Sequence, residues 1–234
     1  MIQLYDLETK YPSVRFSPFC WRVKYALAHK GLRWEEVPIG FTDKDKLPSP
    51  NEGKVPVIVD DQEVVSDSWD IALFLDTKYP NDPLFDGAES RAQAYFIKSW
   101  SEMVLQILIS RMGILDFYEV LKDSDKGYFR DTRESRSGVT LEEWGGNPEA
   151  ARTEFLKALE PLRVTLKHQS FLGGAQANFS DYIMVGLLQW MRCGSSLTVF
   201  DENDAVFEYQ EKLLDLHDGL GRSSLPYSSA IADK

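Results

Sequence analysis

The first part of the chain alternates hydrophobic and polar residues and then changes to a helical spacing of apolar residues. The alternation predicts a strand over residues 2–7. Over residues 18–30 the apolar positions fall on one helical face, and Gly31 supplies a stop. A second strand is predicted over residues 34–39. Residues 41–53 are rich in Lys, Asp, Pro and Ser, so we expect a loop with one helical turn.

A pair of short strands and another helix complete this first unit. Residues 55–59 and 63–65 are rich in Val and flank two aspartates, which is typical of a hairpin. The buried face of the helix that follows carries Ile71, Phe74 and Leu75, and the helix should end before Pro80. The predicted order over residues 1–80 is therefore βαβαββα, an α/β domain.

Strand patterns disappear after residue 80. Residues 81–89 are rich in turn-forming residues and are predicted to be a linker, followed by an all-helical domain over residues 90–234. Helices are expected over residues 90–122, 148–168, 179–193 and 206–217. The charged stretch 123–147 is expected to be a loop or insertion, and the tail from Gly219 to be loosely held. A ligand site is expected in the cleft where the two domains meet.

Composition and charge exclude several classes of function. With 43% hydrophobic and 27% charged residues, the composition is that of a soluble globular protein. A net charge of -11 argues against nucleic acid as the main partner, because phosphate binding needs a basic face. We expect no membrane segment, since no apolar run approaches ~18 residues. The two cysteines are too few for a disulfide framework and the first residues resemble no targeting peptide, so a cytoplasmic protein is expected.

The start of the first helix carries the candidate catalytic residue. Ser17 precedes Pro18, and these residue types are preferred just before and at the first helical position. The free N–H groups and the dipole of a helix N-terminus favour an anion. With Cys20 three residues further on, the pattern is that of a Cys-x-x-Cys redox element whose attacking sulfur is replaced by a hydroxyl. Ser17 would then hold the thiolate of another molecule, or it is only a helix cap.

Three motifs coincide in order: a Ser-x-x-Cys at the first helix, a proline just before a strand, and an Asp-Ser pair that opens a helix. They are Ser17-Pro18-Phe19-Cys20, Gly53-Lys54-Val55-Pro56-Val57-Ile58 and Asp67-Ser68. Together they resemble the thioredoxin-like domain of glutathione transferases, and the helical half resembles the second domain of that family. Residues 178–181 are similar to the N-capping box of the family's core helix.

Longer segments resemble one subclass. Residues 16–27 and the stretch from 128–130 through 141–143 resemble the bacterial β-etherases of lignin breakdown and their fungal relatives, the etherase-like (FuA) glutathione transferases. The long segments 8–15 and 123–147 are similar to that group as well. The resemblance implies an enzyme in which glutathione, as co-substrate, attacks hydrophobic aromatic electrophiles, by conjugation or by aryl-ether cleavage. The alternative is a ligandin-type protein that sequesters aromatic metabolites with little turnover.

The resemblance gives the first two motifs roles toward glutathione. Ser17 would be the catalytic residue, donating a hydrogen bond to the cysteinyl thiolate. A cis bond before Pro56 would aim the backbone of Val55 at the peptide group of the tripeptide, although a rigid turn without a ligand is the other interpretation. Lys54 would pair with the glycyl carboxylate of glutathione, or it is a solvated surface lysine. Lys44 and Lys46 are the other candidates for the carboxylate.

Asp67 and Ser68 would hold the γ-glutamyl end of glutathione. The Ser68 hydroxyl would donate to the carboxylate at a helix start, and Asp67 would accept from the ammonium. Many relatives have Glu where this chain has Asp67. An ordinary helix cap is the alternative for this pair.

Other candidate residues are assigned to packing. Cys20 is expected to be a buried core thiol rather than a resolving thiol, because Ser17 cannot form the disulfide that it would resolve. No metal is needed, and His29, His168 and His217 are expected to be structural or solvated. Large side chains on the long helix (Tyr95, Trp100 and Met103) either line the second-substrate site or belong to the core. The resemblance, together with the many apolar residues of that helix, implies a homodimer.

Overall fold

The computed structural model describes residues 1–51 and 53–232, and within them a mixed sheet has the strand order β2-β1-β3-β4. The strands are β1 (Ile2–Leu7), β2 (Trp34–Ile39), β3 (Val57–Asp60) and β4 (Glu63–Ser66). Strand β1 pairs in parallel with β2 and antiparallel with β3. The parallel pair requires a crossover connection, which helix α1 (Pro18–His29) provides. The predicted α/β order is confirmed, with the second helix reduced to a 3₁₀ turn at Lys44–Lys46.

Helix α1 is buried on nearly all sides because it lies between the sheet and the helical half. Its predicted apolar face is fully buried and includes Cys20 and Val23. Even its charged residues are buried, and they are paired, as burial of a charge requires. Lys24 Nζ lies 2.8 Å from Asp6 Oδ2 and 2.7 Å from Glu36 Oε1. Helix α2 (Ser68–Lys78) follows β4 and closes this unit.

The helical half begins earlier and is more divided than the sequence pattern predicts. Its helices are α3 (Gly87–Trp100), α4 (Gln106–Glu119), α5 (Asp123–Ser137), α6 (Leu141–Gly145), α7 (Pro148–Ala158), α8 (Glu160–Leu166), α9 (Phe179–Gly194), α10 (Ala205–Gly219) and α11 (Tyr227–Ala232). Helix α3 starts inside the predicted linker. A π-helical turn at Ser101–Leu105 interrupts the predicted long helix. The helix predicted over 148–168 is two helices, since Pro161 lies in the first turn of α8 and cannot donate a backbone hydrogen bond.

The prediction that residues 123–147 form a loop is wrong, because this stretch contains α5 and α6. Ion pairs support its helices: Arg130 lies 2.8 Å from both Glu134 and Glu142. Gly138, with φ of 76°, is the left-handed C-cap of α5, so this glycine ends a helix. Thr140 and Glu143 then form a capping box at α6.

The prediction of a loosely held tail is also wrong for the described part, and residues 233–234 of the predicted helical domain lie outside the described residues. The Arg15 amide donates to Ser224 Oγ at 2.8 Å, and the Leu225 amide donates to the Ser13 carbonyl at 3.0 Å. Helix α11 buries Tyr227 against the same region. The tail therefore fixes the segment that leads into α1.

Helix α9 is the core helix, and its predicted capping box is confirmed. Asn178 caps the helix, while the buried carboxylate of Asp181 accepts from the Asn178 amide at 3.0 Å and from the Tyr209 hydroxyl at 2.7 Å. Gly186 lets α9 approach α1 closely, because a Cβ at this position would collide with the Pro18 carbonyl. The helix thereby supports the start of α1.

Candidate functional site

Ser17 caps the N-terminus of α1 and lines a cavity of about 690 Å³. Its backbone is extended and its side chain is 5% exposed. The Oγ atom accepts a hydrogen bond from the Cys20 amide at 3.3 Å. A hydroxyl has one proton and two lone pairs, so Ser17 keeps its proton for an anion in the cavity while it caps the helix. The predicted position of Ser17 at the mouth of the helix is confirmed.

The residues before Ser17 hold it in place. Phe16 stacks on Phe117, with ring centroids 6.1 Å apart. The Trp21 indole donates to the Arg15 carbonyl at 2.9 Å. These two contacts anchor the backbone that leads into Ser17.

Cys20 is buried beneath the site and has no access to the cavity lining. Burial raises the pKa of the Cys20 thiol well above its usual range, and the Asp6 carboxylate raises it further. Since the reactive form of a cysteine is the thiolate, Cys20 is not set up for redox chemistry. The expected packing role is confirmed.

Val55 and Lys54 line the same cavity as Ser17. The Val55–Pro56 bond is cis, as the family resemblance implies, and Pro56 is buried. Of the competing lysines, Lys44 lines the cavity, with its Nζ 4.4 Å from the Tyr128 ring centroid. Lys46 lies outside the lining and pairs with Asp43 at 2.7 Å. Two of the three lysines thus remain candidates for the glycyl carboxylate.

Asp67 and Ser68 lie at the start of α2, outside the lining of the cavity. Asp67 has φ of 73° and ψ of 132°, a conformation that costs a non-glycine residue on the order of 1–3 kcal/mol and is concentrated at functional sites. Its Oδ1 accepts from the Trp69 amide at 2.7 Å. Ser68 is buried, and its hydroxyl has no hydrogen-bond partner in the described part of the chain.

The register of the hairpin brings these two motifs to one end of the sheet. Val57 pairs with Ser66, so Val55–Pro56 and Asp67–Ser68 extend from the same end of β3 and β4. Tyr5 also pairs with Val57, which places the carboxyl end of β1 beside them. Ser17, Lys54 and Val55 therefore share a cavity, and Asp67 and Ser68 adjoin it along the hairpin.

Two family models cover most of the chain. The model for the N-terminal domain of glutathione S-transferases matches residues 12–83, and the model for the C-terminal domain matches residues 92–213. The chain belongs to the glutathione S-transferase family. No helix among the described residues combines the length and the apolar character that a membrane crossing needs.

Individual glutathione S-transferases agree with this assignment. The plant protein glutathione S-transferase Z1 of Arabidopsis thaliana is 41% identical over 68 residues, which are 27% of this chain and 31% of that protein. This match therefore spans about a third of the relative's length. The crystal structure of GSTFuA3 from Phanerochaete chrysosporium has a TM-score of 0.74 and 23% identity, covering 99% of this chain and 96% of that one.

A third comparison is with CsGST63524 of Ceriporiopsis subvermispora, whose crystal structure is a complex with glutathione. It has a TM-score of 0.73 and 24% identity, covering 93% of this chain and 96% of that one. The predicted two-part fold and the resemblance to the FuA-type glutathione transferases are confirmed.

A salt bridge that the sequence did not reveal closes one side of this glutathione S-transferase cavity. Arg22 Nη1 lies 2.7 Å from Glu102 Oε1, and Lys98 lies 2.9 Å from Glu102 Oε2. Burial raises the pKa of Glu102, but its bonds to Arg22 and Lys98 leave that pKa below the ordinary value. The pair joins α1 to the π-helical turn, a contact between residues far apart in sequence.

Much of the aromatic wall of the cavity comes from residues 123–147, which were predicted to be a loop or insertion. Its apolar lining residues include Phe41, Ile107, Tyr128, Phe129, Leu141, Trp144 and Trp190. Tyr95, Trp100 and Met103 are not among them, and Tyr95 and Met103 are 54% and 71% exposed. Of the two alternatives left open for these side chains, a place in the lining is not observed, because α5 and α6 close the cavity instead, and the exposed Tyr95 and Met103 do not lie in the core either. The aromatic residues within 128–144 were the feature of the sequence that could have indicated this part of the cavity wall.

Proposed function

We propose that this protein is a serine-type, etherase-like glutathione transferase. The Ser17 hydroxyl donates a hydrogen bond to the cysteinyl thiolate of glutathione, and the thiolate attacks an electrophilic carbon of a hydrophobic aromatic compound. The observation that carries this proposal is the Ser17 hydroxyl at the N-terminus of α1, on the wall of an aromatic cavity. We assign glutathione binding to residues 1–80, a linker to 81–89 and the second-substrate site to the helical residues 90–234.

The available interactions are strong enough to ionise the thiol. Lowering the pKa of a thiol from ~8.5 to ~6.5 requires about 2.7 kcal/mol in favour of the thiolate. A helix N-terminus contributes ~0.3–2 kcal/mol, and a hydrogen bond to a charged group contributes ~1.5–3 kcal/mol. The two together reach the required value, because Ser17 is shielded from solvent. Neither a histidine nor a metal ion is needed for this step.

The remaining motifs would bind the rest of glutathione. The backbone of Val55, turned by Pro56, meets the peptide group, and Lys54 or Lys44 pairs with the glycyl carboxylate. Asp67 accepts from the γ-glutamyl ammonium and Ser68 donates to its carboxylate. The unpartnered Ser68 hydroxyl supports this assignment, since a buried polar group without a partner costs ~1–3 kcal/mol. The glutathione complex of CsGST63524 gives further support.

Two reactions fit the cavity. In conjugation, a C–S bond forms as a leaving group such as chloride departs with its electron pair. In aryl-ether cleavage, the same bond forms while a C–O bond breaks and an aryloxide leaves. A ligandin-type protein is the alternative, because a cavity of about 690 Å³ with aromatic walls also suits binding without turnover.

We infer that the protein acts in the cytoplasm as a homodimer. Helix α3 exposes Phe96 at 69%, close to the exposed Tyr95 and to Met103 of the π-helical turn. An apolar patch of this kind is typical of an interface, and two-fold pairing is the commonest closed assembly.

Calorimetric binding of glutathione combined with turnover of aromatic electrophiles tests the proposed function. We expect saturable glutathione binding and glutathione-dependent release of chloride from 1-chloro-2,4-dinitrobenzene, or of a phenol from an aryl ether. Tight binding of aromatic ligands without any turnover would instead identify a ligandin. Absence of glutathione binding would refute both.

A further inference from the structure

A half-buried arginine in the aromatic wall lacks the carboxylate partner that a cation shielded from water normally has. The Arg133 guanidinium lies 4.2 Å from the ring centroid of Phe129 and 4.9 Å from that of Phe41. Its Nη1 donates to Thr132 Oγ1 at 2.8 Å. It forms no ion pair with any residue of the described ranges, and burial, together with the charge of Arg136, lowers its pKa to about 10.

Neighbouring arginines show how unusual this is. Arg130, one turn away on α5, pairs with Glu134 and Glu142. Arg22 of α1, outside the lining, pairs with the lining residue Glu102. Arg136, which also lines the cavity, has no carboxylate partner among the described residues either, but it is exposed, whereas Arg133 is half-buried between aromatic rings.

The positive charge near Arg133 is reinforced. Arg136 and Lys44 also line the cavity, and Lys44 lies over the Tyr128 ring. The acidic lining residue Glu102 is already neutralised by two cations. In a protein whose net charge is -11, this wall is locally positive and faces an apolar space.

We propose that the second substrate is an aromatic electrophile that carries a carboxylate, and that Arg133 is the residue that selects it. This inference rests on the proposed function. The ring of the substrate packs among Tyr128, Phe129 and Trp144, and its carboxylate pairs with the guanidinium. Arginine suits this role because its planar fork binds a carboxylate through two parallel hydrogen bonds. The aromatic faces of Phe41 and Phe129 hold the guanidinium plane and exclude water.

A neutral substrate is disfavoured by the same geometry. It would leave Arg133 without a partner in a site that substrate binding has dried, and an unpaired buried charge is costly. Discrimination between a charged and a neutral analogue of similar shape is therefore the signature of the site. The glycyl carboxylate of glutathione is the other anion that Arg133 could bind. The KM for glutathione distinguishes this role from binding of the second substrate.

The test uses a charged electrophile and a neutral analogue of similar shape, 4-chloro-3,5-dinitrobenzoate and its methyl ester. With each, a bond forms between glutathione sulfur and the ring, the C–Cl bond breaks, and chloride leaves with the electron pair. kcat/KM for each is divided by the rate of its uncatalysed reaction with glutathione. The variants are Arg133→Gln and Arg133→Lys, with Arg91→Gln as a control that removes an exposed positive charge outside the cavity.

We expect the wild type to prefer the carboxylate. Arg133→Gln should lower kcat/KM for the carboxylate roughly tenfold to a hundredfold and change that for the ester less than about twofold. Arg133→Lys should retain part of the preference, and Arg91→Gln should match the wild type. The KM for glutathione should stay constant throughout.

Three results would overturn the inference. Equal losses for both electrophiles would make Arg133 a packing residue. A raised KM for glutathione with an unchanged carboxylate preference would assign Arg133 to the glycyl carboxylate. If the wild type turned over the carboxylate and the ester equally well, the second substrate would not be selected for a carboxylate. If the wild type turns over neither electrophile, the proposed function fails separately, and calorimetric binding of 3,5-dinitrobenzoate against its methyl ester still decides the role of Arg133.

Discussion

Ser17 Oγ accepts a hydrogen bond from the amide of Cys20 at 3.3 Å, on a helix whose N-terminus opens into the cavity. The sequence left open whether Ser17 is a helix cap or a thiolate-binding residue. The bond makes the two roles compatible, since the hydroxyl caps through a lone pair and retains its proton. The buried thiol of Cys20 completes the turn without taking part in the proposed chemistry.

Replacement of Ser68 should weaken glutathione binding while leaving the fold intact. The hydroxyl is buried without a partner, so Ser68→Ala should keep or raise the thermal stability of the free protein. The KM for glutathione should rise about tenfold with little change in kcat, because the contact lies far from the sulfur. Ser180→Ala, which also removes a buried unpartnered hydroxyl, is the control and should not affect KM. A large fall in kcat at constant KM would contradict the assignment.

A pair of histidines should make stability depend on pH near neutrality. The Tyr182 hydroxyl lies 2.6 Å from His29 Nδ1 and 3.2 Å from His217 Nε2. Burial lowers the pKa of both imidazoles, with Lys30 adding to the effect at His29 and His29 adding to that at His217. Below about pH 6.5 the unfolded chain binds more protons at these histidines than the folded protein does. Their contribution to the free energy of unfolding should therefore be fully present above that pH and should be lost as the pH falls through it.

Urea unfolding from about pH 5 to pH 8 measures this dependence. The double variant His29→Gln with His217→Gln should have a flatter profile in that range. His168→Gln, at an exposed position, serves as the control. An unchanged slope in the double variant would show that other groups titrate there.

Gly186→Ala should disturb the start of α1. The added Cβ collides with the Pro18 carbonyl, and strain of this kind in a packed core costs ~1–3 kcal/mol. Displacement of Pro18 should move Ser17 as well, so turnover should fall along with the melting temperature. Gly127→Ala is the matched control: a Cβ there meets open space in α5, and the change should stabilise the protein by ~0.5–1 kcal/mol. Equal effects of the two changes would contradict the proposed contact.

Light scattering at low micromolar concentration should give twice the mass of one chain. Phe96→Asp should shift the protein toward the monomer, because it places a charge in the exposed apolar patch of α3. Leu225→Asp, at another exposed apolar position, should leave the mass unchanged. A wild-type mass of 26.7 kDa across the range would refute the dimer and leave the glutathione site standing.

The parts of the fold that the sequence predicted are those with local signals. Strand β1 follows from its alternation, and the start of α1 follows from Ser17 and Pro18. Helix α5 was missed because its stability comes from partners such as Arg130 and Glu142, not from an apolar stripe. The order of the tail depends on a bond between Arg15 and Ser224, which no local pattern encodes.

The residues of the site also differ in whether a local sequence pattern could reveal them. Ser17, Val55 and Asp67 belong to short motifs, so they could be named from the sequence. Arg133 could not, since its significance is the lack of a carboxylate partner in three dimensions. The contact between Arg22 and Glu102 likewise joins two distant segments.

The ionisation of bound glutathione tests the central claim most directly. The ultraviolet absorbance of the thiolate, followed against pH in the saturated enzyme, gives the pKa of the bound thiol. The wild type should hold it near ~6.5, and Ser17→Ala should raise it by ~1–2 pH units, since the lost hydrogen bond is worth ~1.5–3 kcal/mol. Ser13→Ala, at an exposed position outside the cavity, should match the wild type. An identical thiol pKa in the wild type and Ser17→Ala would contradict the account.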